Sequence, residues 1–129
     1  MKHTRYLWLV FRALYELVRY DVIHGVLGIT RIRAQPTRRT NNVGPASAEL
    51  ESTICDAVVL ACCFYWKPVL CLQRSVCATR LLRSRGVAAR VVIGYRAVPF
   101  FSHAWVEVDG LVVNDSPVYQ RRLTVLHTI

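Results

Sequence analysis

The stretch FSHAWVEVDGLVVND, residues 101–115, decides the fold class of this chain. The runs SHAWVEV and LVVND flank Asp109-Gly110, a dipeptide typical of tight hairpin turns. We therefore expect SHAWVEV and LVVND to be two paired strands. The run AARVVIGYRAV just upstream is rich in β-branched residues and predicts another strand over residues 88–97. This part of the chain is expected to form a small antiparallel β-sheet.

Helical patterns precede the predicted sheet. Residues 5–20 repeat apolar side chains at helical spacing and place on one face Leu7, Val10, Leu14, Leu17 and Val18. A second, mostly apolar helix is expected after Ser47, a suitable N-cap. A third should run from Pro68 to about residue 85, closed by Gly86. Helices followed by an antiparallel sheet make an α+β fold.

The N-terminal region allows two interpretations of its helix. It is either packed on the domain core or free to bind a membrane surface or a partner, and we favour packing on the core. Its apolar run YLWLVF ends at Arg12, too soon for a signal peptide or a membrane span. The basic, polar residues 31–47, punctuated by proline and glycine, predict a loop.

Length, charge and cysteine content limit the function. The chain has 129 residues, 53% of them apolar, which suits one compact domain. Its formal net charge of +9 fits either a solvated basic surface or an acidic partner. Most of the basic residues are arginine, but no zinc-finger spacing or RNA-binding aromatic signature accompanies them, so we expect no nucleic-acid partner.

The five cysteines predict reduced thiols in the cytoplasm. Their number is odd and most of them lie in apolar helical surroundings. Cys62 and Cys63 are adjacent and no C-x-x-C pair is present, so the pattern argues against a zinc site.

Three residues could carry chemistry together. Cys71 lies in the first turn of the third predicted helix, where unpaired N–H groups and the helix dipole favour a thiolate. His103 starts a predicted strand and could take the thiol proton, and Asp115 could hold its imidazole. Taken singly, each has a structural reading: a buried apolar thiol, a hydrogen-bonded histidine and a turn aspartate.

Hairpin register decides whether His103 and Asp115 can meet. A two-residue turn misses this pairing by one residue, although it segregates the apolar side chains better. A three-residue loop of residues 108–110 pairs Glu107 with Leu111 and sets His103 opposite Asp115. We take the longer loop, or an equivalent bulge, because it brings the histidine and the aspartate to one face.

Residues from about 66 to 118 resemble the transglutaminase-like cysteine peptidases of lasso peptide biosynthesis. The motifs that carry the resemblance are CLQRS at 71–75, LLRSRGVAARVVIGYR at 81–96, PFFSHAWVEVDG at 99–110 and ND at 114–115. The family uses the same order of Cys, His and Asp, and the preceding helices resemble it more weakly. The resemblance implies a transglutaminase/papain-like core in which helices precede a small antiparallel sheet.

The resemblance also implies a role for each site residue. Cys71 is the nucleophile, His103 the general base and then acid, and Asp115 the orienting group. No cofactor or metal is implied. The candidate substrate-binding residues are Trp66, Gln73, Pro99, Phe100, Phe101 and Trp105. Gln73 or the Trp66 indole could supply a second oxyanion donor beside the Cys71 N–H, whereas Trp105 also fits a packing role beside His103.

The implied substrate is a ribosomally made precursor peptide, cut between leader and core. Family members need a leader-recognition module, fused or separate. Residues 1–46 predict one helix and a basic loop without the strands of such a module, so we expect a separate recognition protein. An ATP-dependent macrolactam cyclase is a further candidate partner. We expect residues 1–129 to form one domain, with residues 47–129 as its catalytic core.

Two other functions stay open. The first is an acyl or amine transferase on the same scaffold, in which an amine replaces water at the thioester. The second is a non-catalytic basic module that binds peptide or nucleic acid. It predicts salt-dependent binding that is indifferent to Cys71→Ala.

Overall fold

The computed structural model describes residues 2–27 and 45–129 and has an α+β architecture, as predicted. The helices are α1 (Lys2–Leu27), α2 (Pro45–Phe64), α3 (Cys71–Ser84) and α4 (Val118–Arg122). The strands are β1 (Ala89–Arg96), β2 (Phe101–Val108), β3 (Leu111–Val112) and β4 (Thr124–Thr128). They form one sheet in the order β3-β2-β1-β4, and each neighbouring pair is antiparallel.

Helix α1 packs on α2 and α3 and shares their hydrophobic core, as favoured from the sequence. The predicted core face is only partly right. Its buried apolar residues are Leu9, Val10, Ala13 and Leu17, whereas the expected Leu7 and Val18 are exposed. The fully buried Ala13 lies near the middle of this face, and a side chain that small allows two neighbouring helices to come close. Apolar residues on both sides of α1 made either face look suitable.

Two predicted helix starts are wrong. Helix α2 begins at Pro45, so Ser47 lies inside the helix and is not its N-cap. Proline is well tolerated at a first helical position because its missing N–H needs no partner there. Residues 45–47 of the predicted loop are therefore helical, and residues 31–44 lie outside the described part of the chain. Helix α3 begins at Cys71 and not at Pro68.

The predicted end of α3 is confirmed. Gly86 has a φ of 81°, the left-handed conformation that closes many helices. Its N–H donates to the Arg83 carbonyl, and the Val87 N–H donates to the Leu82 carbonyl. The chain then turns directly into β1.

The prediction of a three-residue hairpin loop is wrong. Val108 pairs with Leu111 and Glu107 with Val112, so the turn has two residues. Asp109 and Gly110 both have positive φ, 52° and 78°, as the favoured two-residue turns require. This register places Val113 with Val106 and Val108 in the core shared with the helices, which is the stronger constraint.

The second face of the sheet carries a smaller cluster that the sequence did not predict. Leu123, which follows α4, is buried together with Val92 and Trp105, and Tyr119 of α4 packs against this cluster. Strand β4 pairs with β1, and Val91 and Ile129 exchange two main-chain hydrogen bonds of 3.1 and 2.8 Å. Within residues 2–27 and 45–129, no helix combines the length and apolarity needed to cross a membrane.

Candidate active site

Cys71 is the first residue of α3, closer to the helix end than expected. Leu70 before it is extended and makes no side-chain hydrogen bond to the helix, so no side-chain cap occupies the first-turn N–H groups. The thiol is partly buried and packs against a cluster that includes Ala104, the neighbour of His103. The thiol therefore lies at the N-terminal, positive end of the α3 dipole.

His103 and Asp115 form a hydrogen-bonded pair. The distance from Nε2 of His103 to Oδ2 of Asp115 is 2.7 Å. The same carboxylate oxygen accepts a bond of 3.0 Å from Nη2 of Arg74, and Oδ1 accepts the Ser116 N–H at 2.7 Å. An ionised Asp115 favours the tautomer with the proton on Nε2, which leaves Nδ1 of His103 free to act as a base.

The surroundings of Asp115 keep it ionised. Burial acts to raise the pKa of its carboxyl group. The hydrogen bonds from His103 and Ser116, together with the positive charges of His103 and Arg74, outweigh that effect, and the net pKa is lowered. The carboxylate can therefore hold the imidazole at neutral pH.

Arg74 and Ser75 tie the first turns of α3 to the strand that carries the histidine. Arg74 reaches Asp115, and the Ser75 hydroxyl donates to the Ala104 carbonyl at 3.2 Å. Since Ser75 follows Cys71 by four residues, both lie on one face of α3. The start of this helix is thus fixed at the edge of the sheet where Asp115 lies.

The histidine ring belongs to the second face of the sheet. It packs against Tyr119, Phe101 and Trp105, with ring centroids 4.2, 6.2 and 6.4 Å away. In the described part of the chain, no hydrogen bond joins Cys71 to His103. The structure therefore forms the His–Asp pair and connects it to α3 through Arg74, without a bond between thiol and imidazole.

Two of the residues expected to contact substrate are buried and hydrogen-bonded within the protein. Gln73 is only 5% exposed, and its amide donates to the Leu17 carbonyl at 3.1 Å. Trp105 is fully buried, and its indole N–H donates to Glu107 at 2.9 Å. These placements argue against contact between either side chain and a substrate, and against Gln73 as an oxyanion donor.

The other expected substrate contacts face solvent. Trp66 is 79% exposed and Phe100 is 76% exposed, and Pro99 and Phe101 are also exposed. The Phe101 ring stacks beside His103. An apolar peptide segment could therefore lie against Phe101 next to the histidine.

A polar cluster fixes the segment that leads into Cys71. Asp21 of α1 accepts hydrogen bonds from the Tyr65 hydroxyl and from Nζ of Lys67, the latter at 2.6 Å. Burial acts to raise the pKa of Asp21, but these donors lower it overall. Burial and the Asp21 carboxylate raise the pKa of Tyr65 to about 12. The chain just before α3 is thereby held against α1.

Three buried or half-buried thiols are poor nucleophiles at neutral pH. Burial raises the pKa of Cys55 to about 11 and raises the pKa of Cys62 and Cys77 as well. All five cysteines are free. Over residues 2–27 and 45–129, no three His, Cys, Asp or Glu side chains are grouped closely enough to bind a metal ion.

Sequence reasoning missed three residues of this site. Arg74, Asn114 and Tyr119 contact the His–Asp pair or its supporting strand. Arg74 and Asn114 lie inside the motifs CLQRS and ND, beside the candidate residues Gln73 and Asp115. Tyr119 gave no comparable signal, because a single aromatic residue after Ser116-Pro117 fits many short helices.

Comparison with known proteins gives two matches. Residues 14–128 match the family model described as the transglutaminase-like superfamily. A stretch of 59 residues is 48% identical to the microcin J25-processing protein McjB of Escherichia coli. This stretch is 46% of the present chain and 28% of McjB, so the match spans less than a third of that protein. No solved structure matches the chain significantly.

Proposed function

This chain belongs to the transglutaminase-like superfamily, and from that premise we propose that it is a cysteine peptidase that removes the leader from a lasso precursor peptide. The likeness to a microcin-processing protein supports a role in processing such a peptide. The cysteine mechanism and the leader as the part removed are our own extension of that role.

The observation that carries the proposal is the 2.7 Å bond between His103 and Asp115 at the sheet edge to which Arg74 ties the start of α3. A carboxylate that holds one imidazole nitrogen is the arrangement that activates nucleophiles in acyl transfer. Cys71 begins that helix, so its thiol lies at the N-terminal end of α3. Reaction requires its sulfur to come within hydrogen-bond reach of Nδ1 of His103, as catalytic contacts often do only with substrate bound.

In the first step, His103 accepts the Cys71 proton and the thiolate attacks the scissile carbonyl carbon. The carbonyl oxygen becomes an oxyanion, which the Cys71 N–H can stabilise by donating a hydrogen bond. Collapse of this intermediate breaks the C–N bond. His103 returns the proton to the leaving nitrogen, and the core peptide departs with a free amino terminus.

In the second step, His103 removes a proton from water, and the hydroxide attacks the thioester that links the leader to Cys71. The C–S bond breaks and the leader leaves as a carboxylic acid. The thiolate then takes the proton from His103, or the proton stays on the imidazole and the two groups form a thiolate–imidazolium ion pair. No cofactor is needed, because both steps are proton transfers and acyl transfers.

The proposal includes the partners and the setting expected from the sequence. A separate leader-recognition protein would present the precursor, and a macrolactam cyclase would use the released core. Five free thiols support a reducing, cytoplasmic location. We assign the whole chain to one domain, with residues 47–129 as catalytic core, because α1 shares its hydrophobic core with α2 and α3.

The test is cleavage of a lasso precursor peptide that still carries its leader, with and without the recognition protein. The products of the parent protein, Cys71→Ala and Cys63→Ala are compared by mass spectrometry. Cys63 is the matched control, because it is an exposed thiol on α2, a helix that contributes neither His103 nor Asp115. We expect Cys71→Ala to abolish cleavage and Cys63→Ala to retain it.

The identity of the product separates the alternatives. A leader that ends in a carboxylic acid supports hydrolysis, whereas a leader amide formed with an added amine indicates an acyl transferase. Undiminished processing by a folded Cys71→Ala variant contradicts the proposal.

A further inference from the structure

The outer face of α1 carries an apolar stripe that neither the core nor the candidate site explains. It consists of Trp8, Phe11, Tyr15, Val18 and Val22, each between 48% and 69% exposed. The stripe lies opposite the α1 face that packs on α2 and α3. A contiguous exposed apolar surface of this kind generally marks an interaction site.

The spacing of the stripe is that of a helix–helix seam. Successive members are three, four, three and four residues apart, which averages 3.5. This is the repeat of the a and d positions through which one helix packs along another. With a rise of about 1.5 Å per residue, the stripe is about 21 Å long, or two heptads. That length suits a short docked helix.

A row of arginines follows one flank of the stripe. Arg5, Arg12 and Arg19 recur every seven residues, in the e position beside the seam. The Arg12 guanidinium lies 5.1 Å from the centroid of the Tyr15 ring, and the guanidinium of Arg85, just after α3, lies at the same distance from the Trp8 ring. The rim of the stripe is therefore positive.

The acidic residues of α1 neutralise its arginines only in part. Glu16 is buried, accepts a bond of 2.8 Å from Arg80 and also forms ion pairs with Arg12 at 3.4 Å and Arg19 at 4.0 Å. One carboxylate is thus shared by three guanidinium groups, which leaves a net positive charge. Asp21 is bonded to Lys67 and Tyr65. The outward charge of this face is that of its arginines, so charge complementarity calls for an acidic partner.

A second copy of the chain does not provide that complement. In an antiparallel pair, the e positions face each other and would set one arginine row against the other. In a parallel pair, Arg12 and Arg19 would face Leu7 and Leu14 of the second copy. The net charge of +9 also opposes self-association.

A membrane surface fits the stripe less well. A helix that lies in the lipid interface buries a broad apolar face between the head groups. The most apolar contacts of α1 are already used by the core, and what remains exposed is the stripe with Leu7 at its flank. Residues 28–44 of the same chain are also unsuitable as the segment that covers the stripe. They follow α1 in sequence and contain four arginines and no acidic residue, so they lack the negative charge that would complement the arginine row.

We propose that the outer face of α1 docks an acidic amphipathic helix of a partner protein. The apolar residues of that helix pack against the stripe, and its flanking carboxylates pair with Arg5, Arg12 and Arg19. Two heptads bury less surface than a standard interface of about 800 Å² per partner, so the complex is transient. The proposal is independent of the peptidase chemistry.

The probe is a fluorescein-labelled, three-heptad peptide with leucine at a and d and glutamate at e and g. Its binding to the full chain is measured by fluorescence anisotropy at about 50 and 300 mM NaCl. The control peptide has lysine in place of glutamate. We expect micromolar binding of the acidic peptide that weakens with salt, and no binding of the basic peptide.

Variants locate the contact on the protein. Phe11→Ser combined with Val18→Ser should weaken binding by about tenfold or more, since interface anchors carry most of the affinity. Arg5→Glu, a change at an exposed residue, should weaken it by a few fold through charge alone. The matched control is Val59→Ser on α2, which is 49% exposed and should leave binding unchanged. Cys71→Ala should bind like the parent protein, because the seam does not involve the thiol.

Equal binding of the acidic and basic peptides, or of the parent and the Phe11→Ser/Val18→Ser variant, overturns the proposal. So does a dimer in light scattering that this double variant dissociates. Binding to phosphatidylglycerol vesicles without binding to the acidic peptide would assign the stripe to a membrane instead.

Discussion

Replacing Gly94 with alanine should destabilise the protein. Gly94 lies in β1 directly opposite His103 of β2. A Cβ atom at this position would lie 2.6 Å from Cη2 and 2.8 Å from Cζ3 of Trp105, and 2.9 Å from Cβ of Leu123. These distances are too short for carbon atoms, so the neighbours would have to move. Trp105 is fully buried, and its indole is hydrogen-bonded to Glu107.

The size of the effect follows from the neighbours. Adding a methyl group to a well-packed core costs about 1–3 kcal/mol. Loss of the indole bond to Glu107 would add about 1 kcal/mol. The smaller conformational freedom of alanine in the unfolded chain returns about 0.4–1 kcal/mol. The net loss is about 2 kcal/mol, which for a chain of this length lowers Tm by roughly 6–10 °C.

Gly25→Ala is the matched control for this prediction. Gly25 lies in α1, and a Cβ there would meet no other heavy atom within 4 Å. Alanine is the better helix former, so this change should stabilise the protein by about 0.5–1 kcal/mol. Urea unfolding followed by circular dichroism and tryptophan fluorescence measures both variants. The packing argument is refuted if Gly94→Ala is as stable as the parent, or if the two variants shift stability in the same direction.

Three further predictions concern the candidate site. The folded-state pKa of Asp115 is lowered, so its stabilising contribution is present at neutral pH and is lost as the pH falls through that value. Asp115→Asn should therefore be less stable near neutral pH and approach the parent in acid, and parallel urea midpoints across pH would contradict this. Iodoacetamide at about pH 8 should leave Cys55 and Cys77 unmodified in the native protein, because burial raises the pKa of both thiols. Peptide mass spectrometry of native and urea-unfolded samples measures this difference in modification. Tyr119→Phe should retain leader cleavage, whereas Tyr119→Ala should lower kcat by exposing the His103 ring, and equal rates for the two variants would remove that role.

The sequence predicted the parts of the fold in which local pattern and burial agree. Helix α3 shows helical apolar spacing, and β1 and β2 are apolar runs that the structure buries, β2 continuously from Ala104 to Val108. Strand β4 could not be found in this way, because all five of its residues are exposed and it is held by pairing with β1. The face of α1 was misjudged because its exposed stripe is as apolar as its buried side.

The His–Asp pair was predicted for a reason that does not apply in the fold. Counting residues back from the turn assumes that the strand ladder continues to Asp115, but β3 ends at Val112. The Val113 N–H still donates to the Val106 carbonyl at 3.0 Å, and then the side-chain oxygen of Asn114 accepts the Val106 N–H at 2.8 Å. A side chain thus satisfies the buried N–H of β2, and the chain can leave the ladder without an unpaired donor.

Because Asp115 lies outside the strand ladder, the alternation of side chains along a strand does not decide which face its carboxylate takes. The two-residue turn is therefore compatible with the bond between Asp115 and His103. Asn114 also donates to Ser75 at 3.4 Å, so the residue that releases Asp115 is anchored to α3. Arg74 holds the released carboxylate from the same helix. The geometry of the pair is therefore set by contacts between α3 and residues 114–115, and not by the length of the hairpin turn.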